Sequence, residues 1–283
     1  MLVKTLIDTY LAKSPEVEGT QRGSLLRMRK EAIGSKDALK LSPRDIIEHA
    51  EWRAKTVAPC TIAAEISSLR GMLDYAEVGL GIEGVSSIAI LKALPILKRK
   101  RLVGASGRRT QMPTPAQTEA ILQWLRASNT DRTVIDVIDF QDKSARRVSE
   151  SCRLMWGDLE GMTVLCRDMK HPHMKTGHTL RLAVPADAYA IIMRQPRETA
   201  SPQERIFKVS DRAVKAAFTR AARALSFDLH LHDLRRGCLT RLLASGKTVP
   251  QVMLVGGHVD SKMLLTTYNG LKAEDYHANA RSL

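Results

Sequence analysis

The sequence predicts a mostly α protein with a small β-sheet (α+β), built as two domains joined by a basic linker. Three observations carry this reading. Residues 1–97 read as helical throughout, with apolar side chains recurring at spacings of three and four. Two short runs, 162–167 and 179–184, have strand character instead. Between the halves, residues 98–109 hold six basic residues, two glycines and no acidic ones. With 283 residues, 44% of them hydrophobic, the chain has apolar mass for one large core or two smaller ones. The reading sets domains at 1–102 and 114–283, with the linker at 103–113.

In order, Leu2, Leu6, Tyr10 and Leu11 share one face of a first helix, and Ser24 to Ala32 fits a second. Ser42 as N-cap, with Pro43 at the first helical position, opens a third. The fourth, Thr61 to Ala76, is the clearest, with Ile62, Ile66, Leu69, Met72, Leu73 and Ala76 on its apolar stripe. The second half restarts at Thr114-Pro115-Ala116-Gln117, a capping-box pattern, before Ile121, Leu122, Trp124 and Leu125. Helical stretches at 131–142 and 147–155 precede the two β runs, the second alternating Leu180, Leu182 and Val184. Helices resume at 186–195, at 210–225 and after His232. Trp124 and Trp156 suit core anchors.

Charge narrows the partner. Lys plus Arg less Asp plus Glu is 44 − 30 = +14, split as 19 − 12 = +7 in residues 1–112 and 25 − 18 = +7 beyond them. Such a chain seeks a polyanion, either nucleic acid or an acidic membrane surface. No apolar run reaches the roughly 18–20 residues of a membrane span, and no terminus is a basic amphipathic segment. Asp8 interrupts the opening where an export signal needs an apolar core. A cytoplasmic protein with no membrane partner is expected. Cys60, Cys152, Cys166 and Cys238 are scattered and read as reduced core thiols. The run Lys98, Arg99, Lys100 and Arg101 is either a solvated hinge or a DNA contact, and Arg212, Lys215 and Arg220 divide between phosphate contacts and a solvated helical face. The histidines His171, His173 and His178, near Asp168, lack a full ligand set at metal spacing, so a solvated hairpin and no metal are expected.

One stretch carries chemistry. His232 and Arg235 stand three apart, on one helical face, where a guanidinium fork and an imidazole suit a phosphate. Alone, H-x-x-R is a weak signal, since a His and an Arg three apart on a helix usually make a solvated face. Here it belongs to an ordered set. R-x-S-E-x-x-x-L-x-W-x-D runs from Arg147 to Asp158, Lys175 sits between the β runs, H-D-L-R-R spans 232–236, Gly256-Gly257-His258 follows, and Tyr268 comes last. The set closely resembles the tyrosine recombinase (phage integrase) family of site-specific DNA recombinases. Residues 42–48 and 69–76 resemble its N-terminal core-binding domain, so the likeness covers nearly the whole chain. It implies a helical core-binding (SAM-like) domain followed by a mixed tyrosine-recombinase catalytic domain.

The resemblance also implies roles. Arg147 and Arg235 would grip the scissile phosphate, and Tyr268 would attack it to form a 3′-phosphotyrosine. Lys175 would protonate the leaving 5′-oxygen, and His232 would assist proton transfer at the tyrosine. His258 would hydrogen-bond the phosphate, and Glu150 would support the site. Arg147 is chosen over Arg146 because it alone sets Ser149 and Glu150 at the family offsets, and Arg235 over Arg236 because it completes H-x-x-R. No metal, nucleotide or other cofactor is implied. The implied partners are double-stranded DNA recombination sites, a homotetramer joined through residues 271–283 and accessory DNA-bending proteins, with strands exchanged through a Holliday junction. A bacterial, phage or plasmid-encoded, nucleoid-associated recombinase without an arm-binding domain is expected. Two alternatives stay open: a type IB topoisomerase-like relaxing enzyme, and a DNA-binding relative impaired in cleavage. The latter draws on one departure. The family interval from the G-H histidine to the nucleophile is nine residues, whereas Thr267 stands there and Tyr268 comes at ten.

Overall fold

The computed structural model describes residues 1–107, 109–169 and 177–265. It divides into two compact units, Met1–Arg108 and Arg109–Leu283.

The first unit is helical. It contains α1 (Val3–Lys13), α2 (Gly19–Met28), α3 (Pro43–Arg53), α4 (Pro59–Val78) and α5 (Ile88–Arg99), with 3-10 turns at Ala32–Ser35 and Ala38–Lys40. The start of α3 is built by a reciprocal cap. Ser42 Oγ accepts from the Asp45 N–H at 3.3 Å, and Asp45 Oδ2 accepts from the Ser42 N–H at 3.0 Å. Proline opens both α3 and α4, where a missing N–H costs nothing. Leu6, Ile46, Ile62, Leu69, Met72, Leu73 and Ile90 are fully buried together. Leu2, expected on the face of the first helix, is instead the exposed N-cap of α1, α5 was not singled out in advance, and α2 is displaced. It starts and ends earlier, and Ala32 belongs instead to a 3-10 turn, in which Gly34 sits so close to the Met28 and Arg29 carbonyls that a Cβ there would have no room.

The second unit holds α6 (Pro115–Ala127), α7 (Arg132–Ser144) and α8 (Val148–Ser151), then β1 (Leu159–Glu160), β2 (Thr163–Cys166) and β3 (Leu180–Ala183). After the sheet come α9 (Ala186–Met193), α10 (Asp211–Ala224), α11 (Leu231–Ala244), α12 (Val249–Gly256) and α13 (Ser261–Met263). The capping box read at Thr114 and Gln117 is present. The sheet is antiparallel in the order β1-β2-β3, with Val164 opposite Leu182 and Cys166 opposite Leu180. Val164 and Leu182 turn into a core that also holds Phe140, Phe207 and Phe218. This is the α+β class expected.

Several local expectations are corrected. Strand β1 was not foreseen, since two residues are too few to show alternation. The helix expected over 147–155 is a single turn, and α11 begins at Leu231, before His232. Cys152, Cys166 and Cys238 are buried free thiols, but Cys60 is only partly buried at the start of α4. Trp124 and Trp156 pack partly buried against the core. A smaller cluster of Ala145, Cys238, Leu239, Val252 and Leu264 ties α11 and α12 to the turn after α7. Among the described residues no helix is long and apolar enough to cross a membrane.

Candidate active site

The site begins where α7 ends. Ala145 takes a left-handed conformation (φ 56°), turning the chain so that two adjacent arginines diverge. Arg146 points inward and is 1% exposed. Its Nε donates to the Ser144 carbonyl at 3.3 Å, Nη1 lies 3.7 Å from Cys166 Sγ, and Nη2 is buried with no hydrogen-bond partner. Arg147 stays partly open as N-cap of α8. Its backbone N–H donates to Glu150 Oε2 at 3.0 Å, and its Nη1 to Oε1 at 2.6 Å. Glu150 is buried, which pushes its pKa up. The fields of Arg147, Arg235 and Arg146 and the backbone donor outweigh that, so the carboxyl titrates below its ordinary range. It is an anion fixed beneath Arg147.

Helix α11 supplies the next pair. Its start is capped by Asp233, whose Oδ2 accepts from the His230 N–H at 2.8 Å. One turn on, Arg235 is 1% exposed; His232 on the same face keeps an edge open to solvent while protein crowds the rest of its ring. Arg235 Nη1 donates to the Ala145 carbonyl, and Nη2 donates to the Gly256 carbonyl at 2.8 Å. The same Nη2 lies 2.9 Å from His258 Nε2. Arg236 is only partly buried. Desolvation first, then the positive charges of Arg235 and Arg147, hold the His232 imidazole below its ordinary pKa.

The third segment is set by two glycines. Gly257 closes α12 in the left-handed conformation (φ +66°), its N–H donating to the Met253 carbonyl at 2.7 Å. A Cβ on Gly257 would strike Met169 and Leu182, and one on Gly256 would strike the His258 ring. G-G-H is therefore a steric requirement that lets the histidine fold back onto Arg235. Burial, then Arg235, Arg147 and Arg146, push the His258 pKa down to about 3. The ring is neutral at ordinary pH. Its Nε2 accepts from Arg235, which places the proton on Nδ1.

The structure thus brings Arg147, Glu150, His232, Arg235 and His258 into one field. Lys175, Tyr268, His171, His173 and the segment 271–283 lie outside the described residues. The backbone ahead of Tyr268 is described as far as Leu265, with Leu264 in the right-handed helical region. Lys98, Arg99, Lys100, Arg101, Arg212, Lys215 and Arg220 are all exposed. Lys100 is paired with Glu51 and Lys215 with Asp211, each at 2.5 Å. Among the described residues no group of three His, Cys, Asp or Glu side chains stands ready for a metal. Asp168 Oδ1 instead accepts the Gly177 N–H at 2.9 Å. Two contributors escaped the sequence reading. Asp233 had a visible signal, a capping carboxylate three residues after His230. The Ala145 carbonyl, ninety positions from the arginine it receives, had none.

Residues 112–275 match the model of the phage integrase family. The chain belongs to that family. Its members are the tyrosine recombinases, site-specific DNA recombinases. Among solved structures, the chain is similar to the Tn1549 transposon integrase in complex with a circular intermediate DNA, at 15% identity, 100% coverage of both chains and a TM-score of 0.69. It is also similar to a lambda integrase dimer bound to a COC′ core site, at 14% identity, with 93% of this chain and 97% of that one covered and a TM-score of 0.71. A lambda integrase tetramer bound to a Holliday junction gives 12% identity, 92% and 78% coverage and a TM-score of 0.68. At these identities the likeness is one of fold. No curated protein matches the sequence.

Proposed function

We propose that this phage integrase family protein cleaves and rejoins duplex DNA through a 3′-phosphotyrosine, with Tyr268 as nucleophile. The observation that carries the reading is the convergence of two guanidiniums, Arg147 and Arg235, on the imidazoles of His232 and His258, with buried Glu150 paired to Arg147. Such a field suits a phosphodiester passing through a pentacoordinate state of higher negative charge.

The Tyr268 hydroxyl attacks phosphorus, forming the new P–O bond as the P–O5′ bond breaks. Its proton passes to neutral His232, and Lys175 protonates the departing 5′-oxygen. The linkage keeps the phosphodiester energy, so an incoming 5′-hydroxyl reverses the steps without a nucleotide or metal. Glu150 fixes Arg147 at the N-terminus of α8. Arg235 donates to carbonyls and an imidazole in the DNA-free chain, and exchanges a neutral acceptor for a phosphate oxygen when DNA binds. His258, held neutral on Nε2, turns its Nδ1 proton toward phosphate oxygen.

The lambda integrase tetramer on a Holliday junction supports strand exchange by four copies on two paired sites. Residues 271–283 would dock on the neighbour, and DNA-bending proteins would shape the sites. Lys98, Arg99, Lys100, Arg101, Arg212 and Lys215 would meet backbone phosphates. The domains are taken as 1–102 and 114–283, joined by 103–113, in a cytoplasmic, nucleoid-associated protein.

The ten-residue interval favours a second reading, a DNA-binding relative that no longer cleaves. The two are separated by trapping on a nicked suicide substrate. A covalent adduct lost in Tyr268→Phe, with binding retained, supports cleavage. Binding without any adduct supports the relative.

A further inference from the structure

We propose that Arg109 is a positioning residue for strand transfer, neutralising Asp233 at the start of α11 so that this carboxylate does not compete with phosphate for the cationic grip. The inference rests on the strand-transfer reading of the site and adds a residue to it.

Composition assigns Arg109 to the basic linker, as one more charge facing a polyanion. The geometry gives it other work. Its Nη2 lies 3.2 Å from Asp233 Oδ2 and 3.2 Å from Asp228 Oδ1, and donates to the Asp228 carbonyl at 2.9 Å. Gln111 Nε2 holds the other Asp228 oxygen at 3.3 Å. The buried Pro113 lies against Gly237 of α11, where a Cβ would meet its ring carbons at 3.5 and 3.6 Å. The segment 109–113 is therefore strapped along the catalytic helix at two points four residues apart.

The Asp233 side chain is 5% exposed, next to His232 in sequence and two residues before Arg235. Its cap to the His230 N–H fixes where α11 begins. A buried carboxylate stripped of its cation is strongly destabilising and turns to whatever positive charge remains nearby. Here those charges are the ones meant for phosphate. His232 faces Arg235, Arg236 and Asp233 from its own helix and Arg147 from the start of α8. The arginines lower its pKa and Asp233 raises it. Without Arg109 the Asp233 charge acts unopposed, His232 holds its proton to higher pH, and the rise of cleavage with pH moves to higher pH.

The test measures single-turnover adduct formation at saturating DNA from about pH 5 to about pH 9, with DNA affinity by anisotropy. Arg109→Ala should slow cleavage at neutral pH about ten-fold or more and shift the rising limb upward, with Kd changed less than about three-fold. Arg109→Lys should restore most of the rate and the limb. Asp228→Asn, which loosens the anchor without baring the buried carboxylate, should shift the limb the same way by less, and carries the test if Arg109→Ala fails to fold. An unmoved limb, or a rate loss that follows lost affinity, overturns the proposal and makes Arg109 a DNA contact. No adduct from the wild type overturns the strand-transfer reading itself. A wild-type adduct with unaltered variants overturns this inference alone.

Discussion

Replacing His258 by glutamine tests whether the surroundings hold this imidazole neutral. The ring is 7% exposed and its pKa is pushed from 6.5 to about 3. In the unfolded chain the same imidazole takes up a proton below about pH 6.5. The unfolded state therefore binds the extra proton first. Stability from His258 is complete above that pH and fades as the pH falls toward about 3. Between about pH 7 and about pH 5, linkage assigns this one ring a loss of about 2 kcal/mol. Urea unfolding followed by tryptophan fluorescence at the two pH values measures it. The wild type should lose about 2 kcal/mol more than His258→Gln over that interval. His49, pushed down to about 4 by burial in the first unit, contributes equally to both proteins and cancels. Equal losses, or a His258 Cε1 proton that titrates near the ordinary value by NMR, would refute the argument.

Arg235→Ala should retain DNA binding and lose cleavage by roughly 10²–10³-fold, the loss of about 3–4 kcal/mol that follows removal of one charge-stabilising donor. Single-turnover adduct assays read this directly, and a loss under about ten-fold would remove Arg235 from the transition state. Lys175→Ala should cleave poorly on ordinary DNA and recover on a substrate with a 5′-bridging sulfur, whose better leaving group needs no proton.

Much of the candidate site's geometry was legible because it is local. Arg147 and Glu150 meet across a single helical turn, His232 and Arg235 share a helical face, and the two glycines before His258 report a backbone with no space for Cβ atoms. The same holds for the caps at Ser42 and Thr114, where side chains three residues apart bond each other's backbone. What stayed hidden depends on contacts distant in sequence. Arg235 reaches the Ala145 and Gly256 carbonyls, and Arg109 reaches Asp228 and Asp233, across separations that no periodicity records. The left-handed turn at Ala145 was equally silent, because an alanine there does not announce a positive φ as a glycine would. Strand β1 is too short to carry a pattern, and it forms because β2 offers it an edge.

The central claim is tested most directly by the covalent state of Tyr268. Purified protein is incubated with nicked suicide DNA from the sequence flanking its gene, denatured, digested and analysed by mass spectrometry. The account predicts a nucleotide-modified peptide with the phosphate on Tyr268, absent from Tyr268→Phe. Tight DNA binding with no modified peptide, or modification of another residue, would contradict it.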